Sequence, residues 1–308
     1  MFTEYSLQLA SWWALFGASA LIAIALDSDD DDPATETDDP FTGQPGYEEG
    51  AQDAQIIGDD TAEMITADPD VATAIAGKGG DDSIAGSAGR DYILAGDGDD
   101  RVEGLVGADV IFGGNGDDWV DAGVGNDVVG GDAGNDVIFG NGGDDYLGGL
   151  AGDDSVAGGS GADEILGGDG NDTLSGFISD RASATTDPAS AANPDLADTL
   201  HGGAGDDELW LGQGDLGTGG EGADTFRVDH RGDFDDGARL ISDFDRDADA
   251  IILHVDAPAD PVTGAPDYPT ITQAVSADGA DRIIMADGVQ IVVLRGIGAE
   301  DPVPVTFS

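Results

Sequence analysis

Eleven aspartates stand nine residues apart without a break: Asp82, Asp91, Asp100, Asp109, Asp118, Asp127, Asp136, Asp145, Asp154, Asp163 and Asp172. Each follows a glycine by two places and precedes an aliphatic residue by two places. Carboxylates set beside glycine turns, whose carbonyls lie bare, make an all-oxygen ligand set for a hard cation. Ca²⁺ takes about six to eight oxygens at about 2.3–2.6 Å and tolerates irregular geometry, whereas Mg²⁺ demands a near-octahedral shell and keeps its water. Cysteine is absent, and His201, His230 and His254 share no ligand spacing, which argues against zinc.

The composition agrees with cation chemistry. The 308 residues carry 65 Asp+Glu against 10 Lys+Arg, a formal net charge of -55, with 51 Gly. Such a chain repels nucleic-acid phosphates and anionic lipid alike, and it repels itself until cations neutralise it. The lack of cysteine removes disulfides and thiolate chemistry and is compatible with a secreted bacterial chain.

The elements that position these carboxylates follow from the same register, which runs from Gly77 to Ser175 as G-x-x-G-x-D-x-U-x with U aliphatic. The fourth place is always Gly, from Gly80 to Gly170. The eighth runs Ile84, Ile93, Val102, Ile111, Val120, Val129, Ile138, Leu147, Val156, Ile165, Leu174. Glycine at the first and fourth places predicts turns through left-handed backbone angles. Places seven to nine predict a strand of about three residues with only the eighth pointing inward. Two half-turns close a coil of eighteen residues, and coils stacked at about 4.8 Å form two parallel sheets around a thin aliphatic core. Aspartates eighteen apart then share an edge. A disordered acidic linker would not keep an aliphatic residue two places after every Asp.

"GGNGDDWVD" at 113–121, "GGSGADEIL" at 158–166 and "GGDGNDTLS" at 167–175 resemble the hemolysin-type calcium-binding nonapeptide of RTX proteins. Lys78, Ser87, Leu105, Asp132, Asn141 and Leu150 replace its second glycine, and Ala95 and Ala122 its first. The resemblance implies an all-β fold, a parallel β-roll with multiple Ca²⁺ between its coils and the eleven Asp as ligands. Pairing each repeat with the next but one allows up to about nine sites, which would move the formal charge from -55 to about -37.

The chain divides into a hydrophobic segment at 1–26, an acidic tether at 27–55, a degenerate cap of the roll at 56–76, the roll at 77–227 and a C-terminal β region at 228–308. Within the roll, 177–192 reads as an inserted surface loop. Repeats return around Asp198 and Asp207, a degenerate turn follows at 211–218, and "GGEGADTFR" restores Asp224 with Phe226 facing inward. These three aspartates extend the ligand list. Beyond 228, two Ile/Val/Leu-rich stretches with Asp287-Gly288 as a hairpin turn predict a β cap. The region also resembles the C-terminal part of RTX proteins, which implies an uncleaved type I secretion signal.

Leu7–Leu26 holds twenty uncharged residues, enough for a helix to span a bilayer. It reads as a membrane anchor or a signal segment. The anchor is favoured because no basic residue precedes Lys78, whereas a cleaved signal begins with one. The acidic bulk is expected outside the cell or at its surface, where calcium suffices to fold the roll. Apolar outward residues, among them Tyr92, Leu94, Val110 and Phe112, concentrate on even-numbered repeats. They mark a face covered either by a terminal segment near Ile56 or the C-terminus, or by a protein or surface partner. No H-E-x-x-H, G-x-S-x-G or Walker-type loop occurs, so no catalytic residue is expected. The reading is a calcium-binding surface or extracellular protein with a structural or interaction role; the alternative is a secreted enzyme or toxin-like protein.

Overall fold

A computed structural model describes residues 54–177, 196–229, 238–254, 268–297 and 302–307, which consist of strands and turns without helix. The expected N-terminal helix at 7–26, the tether up to residue 53 and the insertion from residue 178 lie outside the described residues. Among the described residues, no helix is long and apolar enough to cross a membrane.

Successive strands alternate between two sheets, as a chain winding in half-turns must. The first sheet begins with Ala54–Ile57, Thr73–Gly79, Tyr92–Asp97 and Val110–Asn115 and continues coil by coil to Leu216–Glu221 and Arg239–Ile241. The second begins with Met64–Thr66, Ser83–Ala85 and Arg101–Glu103 and ends with Ala250–His254 and Val305–Phe307. Pairing is parallel and displaced by one coil. Ile93, Ile111, Val129, Leu147 and Ile165 stand in register on one side. Ile84, Val102, Val120, Ile138, Val156 and Leu174 do so on the other. Both rows are buried and face each other in one continuous core, so the fold is an all-β parallel β-roll of eighteen-residue coils.

Two features differ from the expectation. Most central strands have six residues, because extended backbone carries on through the first three places of the next repeat, as in Val110–Asn115. The parallel ladder continues there through mostly glycine positions, with Asn141 paired to Gly123 and Gly96 to Gly114. The turn at 211–218 also keeps a core position: Gly217 pairs with Leu200 at the eighth place, and a Cβ on it would lie 3.1 Å from Leu211, which fills that space. Phe226 points inward as expected and is fully buried, 6.1 Å from Phe244.

The insertion leaves the register intact. Ile165 pairs directly with Leu200, so the intervening chain leaves one coil and returns to the next. At the far end, Arg239–Ile241 pairs parallel with Val289–Leu294, which folds back antiparallel on Arg282–Ala286 through Asp287-Gly288, both left-handed. Ala54–Ile57 and this hairpin both extend the edges of the first sheet in register rather than lying across its outer face. Tyr92 on that face is nonetheless fully buried, with Phe112 at 6.2 Å. The second sheet carries an aromatic row of its own, with Arg101 3.6 Å over the Trp119 ring and Phe139 at 5.8 Å.

With one aliphatic side chain per half-coil, each carries much of its layer. Ile138→Ala is expected to cost about 2–4 kcal/mol in the calcium-loaded protein, by urea denaturation, and Val137→Ala on the outer face under about 1 kcal/mol.

Candidate metal centre

The sixth-place aspartates form two ladders, one along each edge of the roll. In the first, the backbone N–H groups of Asp91, Asp109, Asp127 and Asp145 each donate to the Oδ1 of the aspartate one coil on, at 2.7–2.9 Å, reaching Asp163. Asp163 donates to Asp198, and Asp198 to Asp215. The second runs from Asp82 through Asp100, Asp118, Asp136, Asp154 and Asp172. It ends through Asp207 and Asp224 at Asp249. Every carboxylate thereby ties its own coil to the one before it.

One oxygen is satisfied; the other faces something else. The Oδ2 atoms of Asp82, Asp100, Asp109, Asp118, Asp127, Asp136, Asp145, Asp154, Asp163, Asp172 and Asp207 are buried without a hydrogen-bond partner. These residues are 1–3% exposed. A buried, half-bonded carboxylate is costly to ionise. Burial accordingly pushes Asp109 and Asp145 up to about 8 and Asp118, Asp154, Asp163 and Asp207 to about 7. Asp100, Asp127, Asp136 and Asp172 reach about 6. Neighbouring carboxylates add to the rise in most of them, while the ladder N–H opposes it. A divalent cation beside such an oxygen offsets the cost of ionising it.

The three glycine places serve different ends. The first is not left-handed, contrary to expectation. A Cβ on Gly113 would sit against Asp118 Oδ2 and 2.8 Å from the Gly131 carbonyl of the next coil, so its absence leaves a cradle between a carboxylate and a carbonyl. Ala95 and Ala122 put a methyl there, buried in the core. The second and fourth places make the turn: Gly114 and Gly116 have φ of 115° and 128°. The residues replacing the second glycine keep the left-handed angle at a steric cost: Lys78, Leu105, Asp132, Asn141 and Leu150 have φ between 72° and 86°. Ser87 does not adopt it.

All fourteen aspartates expected from the sequence stand in the ladders, and eleven have an unpartnered buried Oδ2; Asp91, Asp198 and Asp224 do not. Sequence reading missed Asp215 and Asp249 as ladder members. Asp215 follows Asp198 at seventeen residues and Asp249 follows Asp224 at twenty-five, so a strict nine-residue count passes over both. Among the described residues no three His, Cys, Asp or Glu side chains converge, so any cation here takes carboxylate oxygen together with backbone carbonyls.

A family model for the RTX calcium-binding nonapeptide repeat matches residues 76–111, 95–129, 125–156, 148–176 and 195–215. These segments are RTX calcium-binding nonapeptide repeats. No curated protein sequence matches the chain. Among solved structures 17 chains match, including the solution structure of the AlgE6R3 subunit from the Azotobacter vinelandii mannuronan C5-epimerase. That subunit is 30% identical, with 47% of this chain and 71% of that chain covered and a TM-score of 0.20. At that score the likeness says nothing about how the coils are arranged.

Two outcomes follow from the RTX turn geometry. Leu150→Gly relieves a left-handed leucine and is expected to raise stability by about 1 kcal/mol in calcium, whereas Gly152→Ala, whose Cβ would strike the Gly134 carbonyl, lowers it. The raised carboxyls also set a pH dependence in chelator. Between the ordinary value of 3.8 and about 8, the folded metal-free roll holds protons that the unfolded chain has released. Its stability is therefore present at acid pH and lost as pH rises through about 6 to 8; a urea midpoint that climbs from pH 5 to pH 8 in chelator would contradict this.

Proposed function

We propose that this chain is an extracellular or surface-attached protein whose roll binds several calcium ions and closes upon them, serving a structural or interaction role. The observation that carries the reading is the row of eleven buried Oδ2 atoms with no protein donor. Left ionised, they would oppose folding. A hard divalent cation held by Oδ2 and by carbonyls of the glycine turns supplies charge to a site that otherwise favours protonation. Calcium suits this better than magnesium, because the ladder fixes one carboxylate oxygen per residue and leaves irregular carbonyl geometry around the other. Binding to the folded state alone couples folding to calcium concentration. In low-calcium cytosol the carboxylates repel one another; outside, calcium closes the roll. The need for calcium supports a location outside the cell, in keeping with the apolar segment at 7–26 and the resemblance of the C-terminal region to the part of RTX proteins that carries a type I secretion signal.

The test is far-UV circular dichroism of the full chain titrated with Ca²⁺ from a chelated start, with Mg²⁺ at equal ionic strength as control. A cooperative rise of β signal with calcium and not with magnesium is expected. An unchanged spectrum, or an equal response to both ions, would defeat the proposal.

A further inference from the structure

The ladder aspartates are not alike in what faces their second oxygen. Three have it closed by the protein: Ser87 N–H donates to Asp91 Oδ2, Gly212 N–H to Asp215 Oδ2 at 2.6 Å, and Asp245 N–H to Asp249 Oδ2 at 2.7 Å. The Ser87 hydroxyl adds a further bond to Asp91 Oδ1 at 2.9 Å.

Backbone conformation separates the two groups. Each of the eleven carboxylates with an unpartnered Oδ2 has a left-handed residue four places before it: Lys78 before Asp82, Leu105 before Asp109, Asn141 before Asp145, Gly203 before Asp207 and likewise for the rest. Asp91, Asp215 and Asp249 do not, since Ser87, Leu211 and Asp245 are not left-handed. The distinction is therefore built into the turn and does not depend on the identity of the carboxylate.

Asp91 opens the first ladder and Asp215 is its last described member, and Asp249 ends the second, whereas Asp82, which opens the second, keeps an open Oδ2 behind the left-handed Lys78; the turn and not the place in the ladder makes the difference. At Asp91 the next coil still brings a carbonyl to the cradle, since a Cβ on Gly86 would lie 2.6 Å from Asp91 Oδ2 and 2.8 Å from the Gly104 oxygen, so the Ser87 N–H is what sets this turn apart. An N–H in the same place satisfies the buried oxygen and also repels a cation, because its positive end points where the ion would sit.

We propose that Asp91, Asp215 and Asp249 bind no calcium, and that a backbone N–H stands in for the cation at these turns, so that calcium enters only the turns that leave Oδ2 open. This rests on the proposed calcium function. It also removes Asp91 from the ligands expected by pattern and separates the metal sites from the RTX repeat count.

The decisive measurement is the number of calcium ions bound per full-length chain at saturation, by equilibrium dialysis. Asp91→Asn and Asp215→Asn are expected to bind as many ions as the parent, while Asp109→Asn binds fewer. Ser87→Gly, which removes the hydroxyl contact and permits the left-handed turn that would carry the residue-87 N–H away from Asp91 Oδ2, is expected to raise the number. A loss in Asp91→Asn or Asp215→Asn equal to that of Asp109→Asn overturns the inference and leaves the calcium function standing; a parent that binds no calcium overturns both. Should the Asn variants fail to fold, Ser87→Gly decides: more ions support the inference, and an unchanged number refutes it.

Discussion

One contact recurs along both edges of the roll: an aspartate N–H donating to the Oδ1 of the aspartate one coil further on. It holds each carboxylate in a fixed rotamer, buries it, and aims its second oxygen into the turn. Because the donor is backbone, the contact demands that coils stay in strict register, and the parallel ladders and the paired aliphatic rows enforce that register from the other side. The same contact concentrates charge in two lines, which a metal-free chain of formal charge -55 is poorly equipped to bear. Packing and electrostatics thus pull in opposite directions, and a bound cation is what reconciles them.

Two devices complete polar groups where the repeat pattern breaks. Closed turns at Asp91, Asp215 and Asp249 complete the carboxylates there with backbone donors. At the C-terminal end the parallel order is abandoned: the strand of 282–286 runs antiparallel to 289–294 and that of 271–275 antiparallel to 282–286, an arrangement short hairpins can make without another full coil. Asp243 contributes as well, accepting the Gly219 and Gly220 N–H groups with its two carboxylate oxygens. Each device satisfies buried polar groups from within the chain.

The outer faces show how few cations an acidic chain has to place. Arg101 lies over Trp119 and pairs with Glu103 at 2.7 Å; Arg227 lies 5.0 Å from the Trp210 ring and pairs with Glu208 at 2.7 Å. Both clusters sit on the second sheet, where rings and aliphatic stems of arginine cover exposed strand backbone.

Much of this fold was legible in the sequence because its determinants are local and periodic. An aliphatic residue two places after each Asp fixes which side chain enters the core, and a nine-residue interval fixes which aspartates share an edge, whatever the distant chain does. Three matters needed the tertiary structure. The first-place glycine looked like a turn residue, yet its role is to leave room beside a carboxylate belonging to its own turn and a carbonyl from the next coil, which only stacking brings together. Asp215 and Asp249 became ladder members only because the chain compensates for irregular spacing, in one case with Leu211 reaching into the place of a missing core side chain. Whether a given carboxylate faces an open turn or an N–H depends on a backbone angle four residues away, and Leu150 and Ser87, both departures from glycine in the pattern, take opposite angles. Spacing determined where the carboxylates go; the conformation of each turn, set by its neighbours in the stack, decided what they meet there.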